Sequence, residues 1–411
     1  MSRAAGSTVP GIIDRVRGSV GPVSSARTLP GEAYTSPEFY EFEREAVFGR
    51  SWLFLCHESQ LPAPGDHLAI TVADEPLIVS RGRDGVVHVV SAVCQHRGFV
   101  ITEGPPGPDG PALAVADQEV TTTRNLRCPY HFWTYDFDGR LTGAPSMNPA
   151  HQLDELKAKH CLPSFRVEIW RGLVFTNLDP DAAPVAPTLA AADAAVAPYR
   201  LEDMVVADTV TLPDLPFNWK NMQENALEEY HTTYVHKGYH ENVPAHLVQH
   251  GTFESGDGAI YRHAGMVIPG GEPVPNRPNF PVIEGLPDYE RGQFLFLSVP
   301  PTLFAAIRPD GVKMFRIVPQ GVDRMTLTIM FLFPSATLEL PDFASMLQQQ
   351  IDLIPAIDHP DIESNTRMYH GLRSQFAPRG PFSPQESSLP QFNQWLLDRY
   401  EAALVPDLVS A

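Results

Sequence analysis

Cysteine is scarce in this chain. The 411 residues hold four, Cys56, Cys94, Cys128 and Cys161, far too few to staple a secreted scaffold of this size. No run approaches the ~18–20 apolar residues of a membrane span. The opening MSRAAGSTVPGIIDRVRG offers only Ile12 and Ile13 where an export signal needs an apolar core. These lacks lead to the expectation of a cytoplasmic chain with no membrane partner, whose thiolates stay free to bind metal. Positive charge is also short: 30 Lys and Arg stand against 49 Asp and Glu, a net charge of −19, which argues against nucleic acid as a partner. Neither a GxGxxG after a strand nor a P-loop is present, so the chain is not expected to bind a nicotinamide cofactor itself.

What is there divides into three parts. In residues 1–42, Ser36-Pro37-Glu38 followed by FYEFEREAVF reads as a capped amphipathic helix, in a helical segment expected to pack on the C-terminal domain. Residues 43–178 carry short β-like runs (HLAITVA, PLIVSRG, GVVHVVSAV, FRVEIW, GLVFTNL) separated by turn residues, the pattern of a compact antiparallel domain. Within it lies a turn-rich insertion near 104–120, beginning GPPGPDG. Residues 179–411 open with a Pro/Ala-rich connector that has room for a short helix, and then look α+β. A helix is expected over 218–235, strands at 293–299, 304–308, 312–318 and 325–333, and helices at 341–354 and 389–404.

Two short segments each place a cysteine and a histidine on one loop, Cys94-x-His96 and Cys128-x-x-His131. Two thiolates and two neutral imidazoles are the ligands of a Rieske [2Fe–2S] cluster, with Cys on one iron and His on the other. Structural zinc accepts the same set, but the C-x-H spacing is tighter than most zinc-finger hairpins offer. Cys56, in WLFLC, reads as a buried structural thiol.

The flanks CQHRG and CPYHFWTYDFDGRL resemble the cluster motif of the Rieske non-haem iron oxygenases, C-x-H-R-G followed by C-P-Y-H-x-W-x-Y-x-x-x-G. Phe132 stands where that family often has Gly. Between His96 and Cys128 lie 31 residues, roughly twice the family's usual spacing. The excess is read as an extended surface loop, which costs little closure entropy. NWKNMQENALEEYHTTYVH at 218–236 resembles the same family's catalytic-helix motif. The resemblance implies that His231 and His236 bind a mononuclear Fe(II). It places the third ligand in a downstream segment ending G-L-x-S, here best matched by Asp361, ten residues before Gly371. Asp358 is the main rival and Glu363 a more distant one. Two histidines and one carboxylate leave coordination positions open. Five residues turn an α-helix by about 500°, so His231 and His236 do not share a face. Joint ligation therefore requires the helix to unwind between them, where Thr232, Thr233 and Val235 lower helix propensity.

By the same resemblance, Glu228 bridges a metal-ligating histidine to a cluster histidine of a neighbouring subunit. Glutamate there, instead of the commoner aspartate, is typical of members that act on quaternary ammonium compounds. Asn225 and Tyr230 also match the motif and are expected to line the iron environment, while Glu229 reads as a solvated helix charge. The resemblance spans most of the chain, including WRGLVFTNLDP at 170–180. It implies an α+β fold: an antiparallel β Rieske domain plus a helix-grip (START/Bet v1-like) catalytic domain, with subunits in a head-to-tail ring, commonly a homotrimer. It implies electrons from NAD(P)H through a separate flavin reductase, sometimes with a ferredoxin. With O2 these would hydroxylate an aromatic or N-methylated small molecule, giving a cis-diol, a monohydroxylated product or, after N-demethylation, formaldehyde. Two other readings stay open on the residues alone: a Rieske electron carrier without oxygenase activity, and a zinc-stabilised helix-grip binding protein. Phe294, Phe296, Phe304, Phe315 and Tyr261 could line a pocket for an aromatic ring or a methylated cation, but at strand spacing they read first as plain core.

Overall fold

Tight reversals build the first sheet. The computed structural model describes residues 8–101, 120–148, 150–236, 239–266 and 280–404. In it Val72 faces Glu75 across Ala73 and Asp74, whose φ angles of 49° and 69° are both left-handed. Trp170 faces Leu173 across Arg171 and Gly172 in the same way, with φ of 53° and 78°. Two left-handed residues make the hairpin turn whose twist matches that of the strands. The strands are β1 (Leu53–His57), β2 (Asp66–Val72), β3 (Glu75–Arg81), β4 (Val87–Ser91), β5 (Thr121–Thr122), β6 (Leu126–Arg127), β7 (Thr134–Tyr135), β8 (Leu141–Gly143), β9 (Ser164–Trp170) and β10 (Leu173–Asn177). They form an antiparallel sheet in the order β1-β10-β9-β4-β3-β2-β5 and a small one, β6-β7-β8. The expected insertion falls almost wholly on 102–119, outside the described residues.

Contacts gather Ser51–Ala183 into one unit and Met1–Arg50 with Pro184–Ala411 into another. The second unit is built on β11 (Met204–Leu215), β12 (Val248–His250), β13 (Ile260–Gly265), β14 (Gln293–Val299), β15 (Leu303–Arg308), β16 (Gly311–Gly321) and β17 (Arg324–Pro334). Their antiparallel order is β11-β17-β16-β15-β14-β13-β12. The four strands expected between 293 and 333 are there, and the helices Phe343–Asp352 and Ser388–Leu404 match expectation closely. The connector holds a short helix, Ala190–Val196. No helix among the described residues is long and apolar enough to cross a membrane.

The helix Trp219–Leu227 packs on β14, β16 and the two long C-terminal helices, Ile354–Leu372 and Ser388–Leu404, giving the helix-grip arrangement. Ser36 caps the helix Pro37–Glu43 by accepting the Phe39 N–H at 3.2 Å. That helix carries Glu43, whose carboxylate takes the Lys220 Nζ at 2.6 and 2.8 Å and the Tyr400 hydroxyl at 2.5 Å. Glu43 and Lys220 are both fully buried. Breaking such a pair leaves an uncompensated charge at a cost of about 3–5 kcal/mol, so it fixes where the Trp219–Leu227 helix lies.

Candidate metal centres

Both candidate cluster loops are closed in one way. The Gly98 N–H donates to the Cys94 carbonyl (3.0 Å) and the Cys94 N–H to the Phe99 carbonyl (2.9 Å). In the second loop the Phe132 N–H donates to the Cys128 carbonyl (3.0 Å) and the Cys128 N–H to the Trp133 carbonyl (2.9 Å). The residue four after each cysteine is left-handed, φ 72° at Gly98 and 59° at Phe132. Phe132 therefore holds a conformation that glycine takes without steric cost. Its exposed ring lies under the Arg127 guanidinium, 5.0 Å from the centroid.

The two thiols are buried in one hydrophobic core, where burial first and Cys94 after it raise the Cys128 pKa. The His96 and His131 rings lie side by side, centroids 4.7 Å apart. The donors thus form a sulfur pair and an imidazole pair, which suits a two-iron cluster with Cys on one iron and His on the other; tetrahedral zinc needs all four around one point. His96 stacks on Trp133 at 4.8 Å, and its Nδ1 is buried with no hydrogen-bond partner among the described residues, an orphan that a metal bond would satisfy. Burial first, then His131 and Arg97, hold His96 below the ordinary imidazole value, so its ring is neutral and able to ligate near pH 7. The Tyr135 hydroxyl lies 3.3 Å from the Cys94 sulfur and accepts the Gln95 N–H at 3.1 Å. Burial raises its pKa far above the usual phenol value, so it remains a donor.

The second centre forms where a helix stops. Asn218 caps Trp219–Leu227 by accepting the Lys220 N–H at 3.1 Å, and the helix ends because Glu228 is extended, φ −130° and ψ 159°. The Glu228 carboxylate then accepts the backbone N–H groups of Tyr230 and His231. A single turn, Thr232–Val235, follows, with His231 at its start and His236 at its end. The expected helix over 218–235, unwound between His231 and His236, is therefore corrected: it breaks before His231, and the residues between the two histidines form a helical turn. From the helix Ile354–Leu372, Asp361 brings Oδ1 to 3.0 Å from His236 Nε2 and 3.4 Å from His231 Nε2. Among the described residues these three side chains form the group placed to hold one metal ion, with donor atoms within 4.8 Å of one another. Asn225 donates to the same Asp361 oxygen at 3.3 Å. Burial disfavours charge on His231, but hydrogen bonds to Asp361 and Glu228 outweigh it and lift the pKa to about 10. Burial likewise opposes ionisation of Asp361, yet the two histidines bring it down to about 2. The donor set is that of a 2-His-1-carboxylate iron site.

Asp358, the rival carboxylate, instead takes the Lys313 ammonium at 2.7 Å. Glu363 pairs with Arg367 at the surface. The Tyr230 ring is exposed and does not line the cavity beside the three ligand candidates. That cavity, about 710 Å³, is walled by Phe294, Phe296, Phe304 and Phe315, so these rings are more than plain core. Tyr261 is not part of the wall, because alternation along β13 turns Arg262 toward it instead. Glu229 corrects another expectation. It is 1% exposed, and its Oε1 takes Arg262 Nε at 2.9 Å and Nη2 at 2.6 Å. Arg262, Arg308 and Lys313 were not singled out in the sequence; a charged residue inside a strand of alternating apolar residues was their only signal.

An antiparallel domain with paired Cys and His loops, joined to a helix-grip domain with a His–His–Asp site, defines a two-centre redox protein of the Rieske type. Residues 51–166 match the Rieske [2Fe–2S] domain and 201–402 the ring hydroxylating alpha subunit, catalytic domain. The chain belongs to the ring-hydroxylating alpha-subunit family, in which the first domain carries the cluster and the second binds mononuclear iron. It is 34% identical over 220 residues to the carnitine monooxygenase oxygenase subunit of Escherichia coli (strain K12), covering 53% of this chain and 54% of the relative. It is 30% identical over 228 residues to the anthranilate 1,2-dioxygenase large subunit of Acinetobacter baylyi, covering 54% and 45%. These matches span about half the length of the curated relatives. A quaternary ammonium Rieske monooxygenase shares the fold with a TM-score of 0.74 at 21% identity, over 94% of this chain and 98% of that one. Naphthalene 1,2-dioxygenase from a Rhodococcus species does so with 0.75 at 21% identity, over 99% of each.

Proposed function

We propose that this chain is the oxygenase component of a multicomponent Rieske non-haem iron system in the cytoplasm. Cys94, His96, Cys128 and His131 hold the [2Fe–2S] cluster, and His231, His236 and Asp361 hold Fe(II). Electrons come from NAD(P)H through a separate flavin reductase, with or without a ferredoxin, and the product is a hydroxylated aromatic or N-methylated small molecule. The observation that carries the reading is the convergence of His231, His236 and Asp361 on one wall of a phenylalanine-lined cavity. An electron carrier has no use for a second metal site opening on a ligand-sized cavity.

Iron(II) in that site supplies reductive activation of O2. The protein's share is positional. Asn225 orients the Asp361 carboxylate, and Glu228 holds His231 Nδ1 so that Nε2 points at the metal position. Glu228 would also bridge His231 to a cluster histidine of the next subunit in a head-to-tail homotrimer. The phenylalanine wall excludes water and orients the substrate.

The test is metal analysis joined to product analysis. The purified chain should carry one cluster, with its acid-labile sulfide, and one further iron. Asp361→Ala should lose that further iron and Asp358→Ala should keep it. With a surrogate reductase, NADH and O2, a substrate screen should yield hydroxylated product or formaldehyde. A colourless protein holding zinc and no sulfide would sink the reading.

A further inference from the structure

The cavity wall carries three cations beyond its iron site, Arg262, Arg308 and Lys313, each paired with a carboxylate that also lines it, Glu229, Asp310 and Asp358. Along β15 and β16 the side chains facing the cavity alternate long with short: Arg308 lies opposite Gly311, and Lys313 opposite Ala306. The space beside Gly311 is filled by the Phe333 ring, which a Cβ there would meet at 2.7 Å. Each of the two basic chains is held by one carboxylate: Arg308 Nη2 meets Asp310 at 2.7 Å, and Lys313 Nζ meets Asp358 at 2.7 Å. Among the described residues neither has a further acceptor, so the rest of the guanidinium fork and the other ammonium hydrogens remain available to a ligand. Arg262 is different. Its Nε and Nη2 are taken by Glu229 and its Nη1 by the Ala226 carbonyl at 2.9 Å, and it is 3% exposed.

The aromatic wall points the same way. A methylated ammonium is held by free aromatic faces, but three of the four rings named above, all except Phe304, have one of the protein's own cations over them. Arg262 sits 4.2 Å from the Phe296 centroid, Lys313 5.1 Å from Phe315 and Arg308 5.9 Å from Phe294. A cationic guest would meet fixed positive charge at each of these rings. A guest with an acid group would meet unsatisfied donors, and its apolar body would lie on the phenylalanines. Asp358, which holds Lys313, precedes Asp361 by three residues on one helix, so the two share a face and are separated by roughly 4.5 Å of rise. A compact molecule can therefore rest its acid group at Lys313 while presenting a carbon to the metal site.

We propose that Arg308 and Lys313 determine specificity in this cavity, and that its ligand is an organic anion, a carboxylate or sulfonate on a compact apolar or aromatic body. This rests on the oxygenase reading for the fate of the ligand, though not for its binding.

The test is calorimetric titration of the iron-loaded protein with benzoate, benzenesulfonate, neutral benzamide and phenyltrimethylammonium. Benzoate or benzenesulfonate should bind at least about tenfold more tightly than benzamide, as charge-assisted hydrogen bonds require, and phenyltrimethylammonium most weakly. Lys313→Met and Arg308→Met should each abolish most of that preference, and Lys313→Arg should keep it. Asp358→Asn, which frees Lys313, should tighten benzoate binding, an effect that a purely structural role would not produce. Iron and sulfide are measured in every sample, so a variant that loses a centre is recognised. Benzamide or the ammonium binding as tightly as benzoate, Met variants that keep the preference, or no binding by either anion would each overturn the proposal. Turnover is scored separately. Anions that bind, in a protein that oxidises no compound of the screen, leave the proposal standing and sink the oxygenase reading; oxidation of neutral or cationic compounds alone does the reverse.

Discussion

Glu228 reaches His231 across a break in the helix: its backbone is extended, and its Oε1 lies 2.5 Å from His231 Nδ1. The other carboxylate oxygen accepts the backbone N–H groups of Tyr230 and His231, so one side chain both shapes the turn and fixes the imidazole tautomer. An outer carboxylate of this kind is typically worth 10–100-fold in metal affinity or activity.

Glu228→Gln keeps the backbone acceptor oxygen but removes the charge beside His231. It should retain the cluster and the further iron while product formation falls by roughly 10–100-fold. Glu228→Ala should fall further, because the turn also loses its acceptor. Iron and sulfide analysis together with turnover decides the matter, and full activity in both variants would exclude the bridging role.

The Tyr135 hydroxyl beside Cys94 Sγ (3.3 Å) makes a separate expectation for the first centre. A hydrogen bond donated to a cluster sulfur favours the more negative, reduced state. Tyr135→Phe should therefore lower the cluster potential. A bond worth ~1 kcal/mol corresponds to roughly 40 mV in a one-electron couple. Redox titration by visible absorption measures it; an unchanged or higher potential would show that the hydroxyl does not donate to the cluster.

Much of this was legible in the sequence for local reasons. Alternating apolar residues marked β14 to β17, and Ser36 marked the helix it caps. The short spacings of Cys94 with His96 and of Cys128 with His131 put each pair on one loop. What stayed hidden depends on partners distant in sequence. Glu229 looks solvated until Arg262, 33 positions on, folds against it. Asp358 and Asp361 are alike as a string and are separated only by what they meet, Lys313 for one and two histidines for the other. The helix break at Glu228 was misplaced because a carboxylate accepting its own downstream N–H groups competes with helix in a way that residue propensity does not register.

Phe132 tests how much strain the second cluster loop carries. At φ 59° a non-glycine residue is disfavoured by roughly 1–2 kcal/mol. Phe132→Gly relieves this but adds about 0.5–1 kcal/mol of chain entropy and loses a cation–π contact of similar size, so its stability should stay close to that of the parent. Phe132→Val, β-branched and without the ring over which Arg127 lies, should destabilise by at least about 1 kcal/mol. Thermal unfolding followed at the cluster absorbance compares the three, and a valine variant as stable as phenylalanine would refute the strain argument.

Glu224 belongs to neither candidate ligand set, yet it predicts a pH dependence. It is largely buried, and the Tyr34 hydroxyl lies 2.6 and 2.8 Å from its two oxygens. Burial raises its pKa from 4.5 to about 7, against the Tyr34 hydrogen bond and the Lys220 charge, with Glu386 and Glu228 adding to the rise. The folded protein thus holds this proton more tightly than the unfolded chain. Its contribution to stability is complete below about pH 4.5 and is lost as pH climbs through about 7. At ~1.4 kcal/mol per pH unit the full span is at most roughly 3 kcal/mol. Glu224→Gln stays neutral throughout, so its Tm should match the parent near pH 5 and exceed it at pH 8. Glu386, also raised, mainly by burial, keeps some slope in both proteins. Melting curves at pH 5, 6, 7 and 8 give the comparison, and parallel Tm profiles for the two proteins would mean that Glu224 is already ionised in the fold.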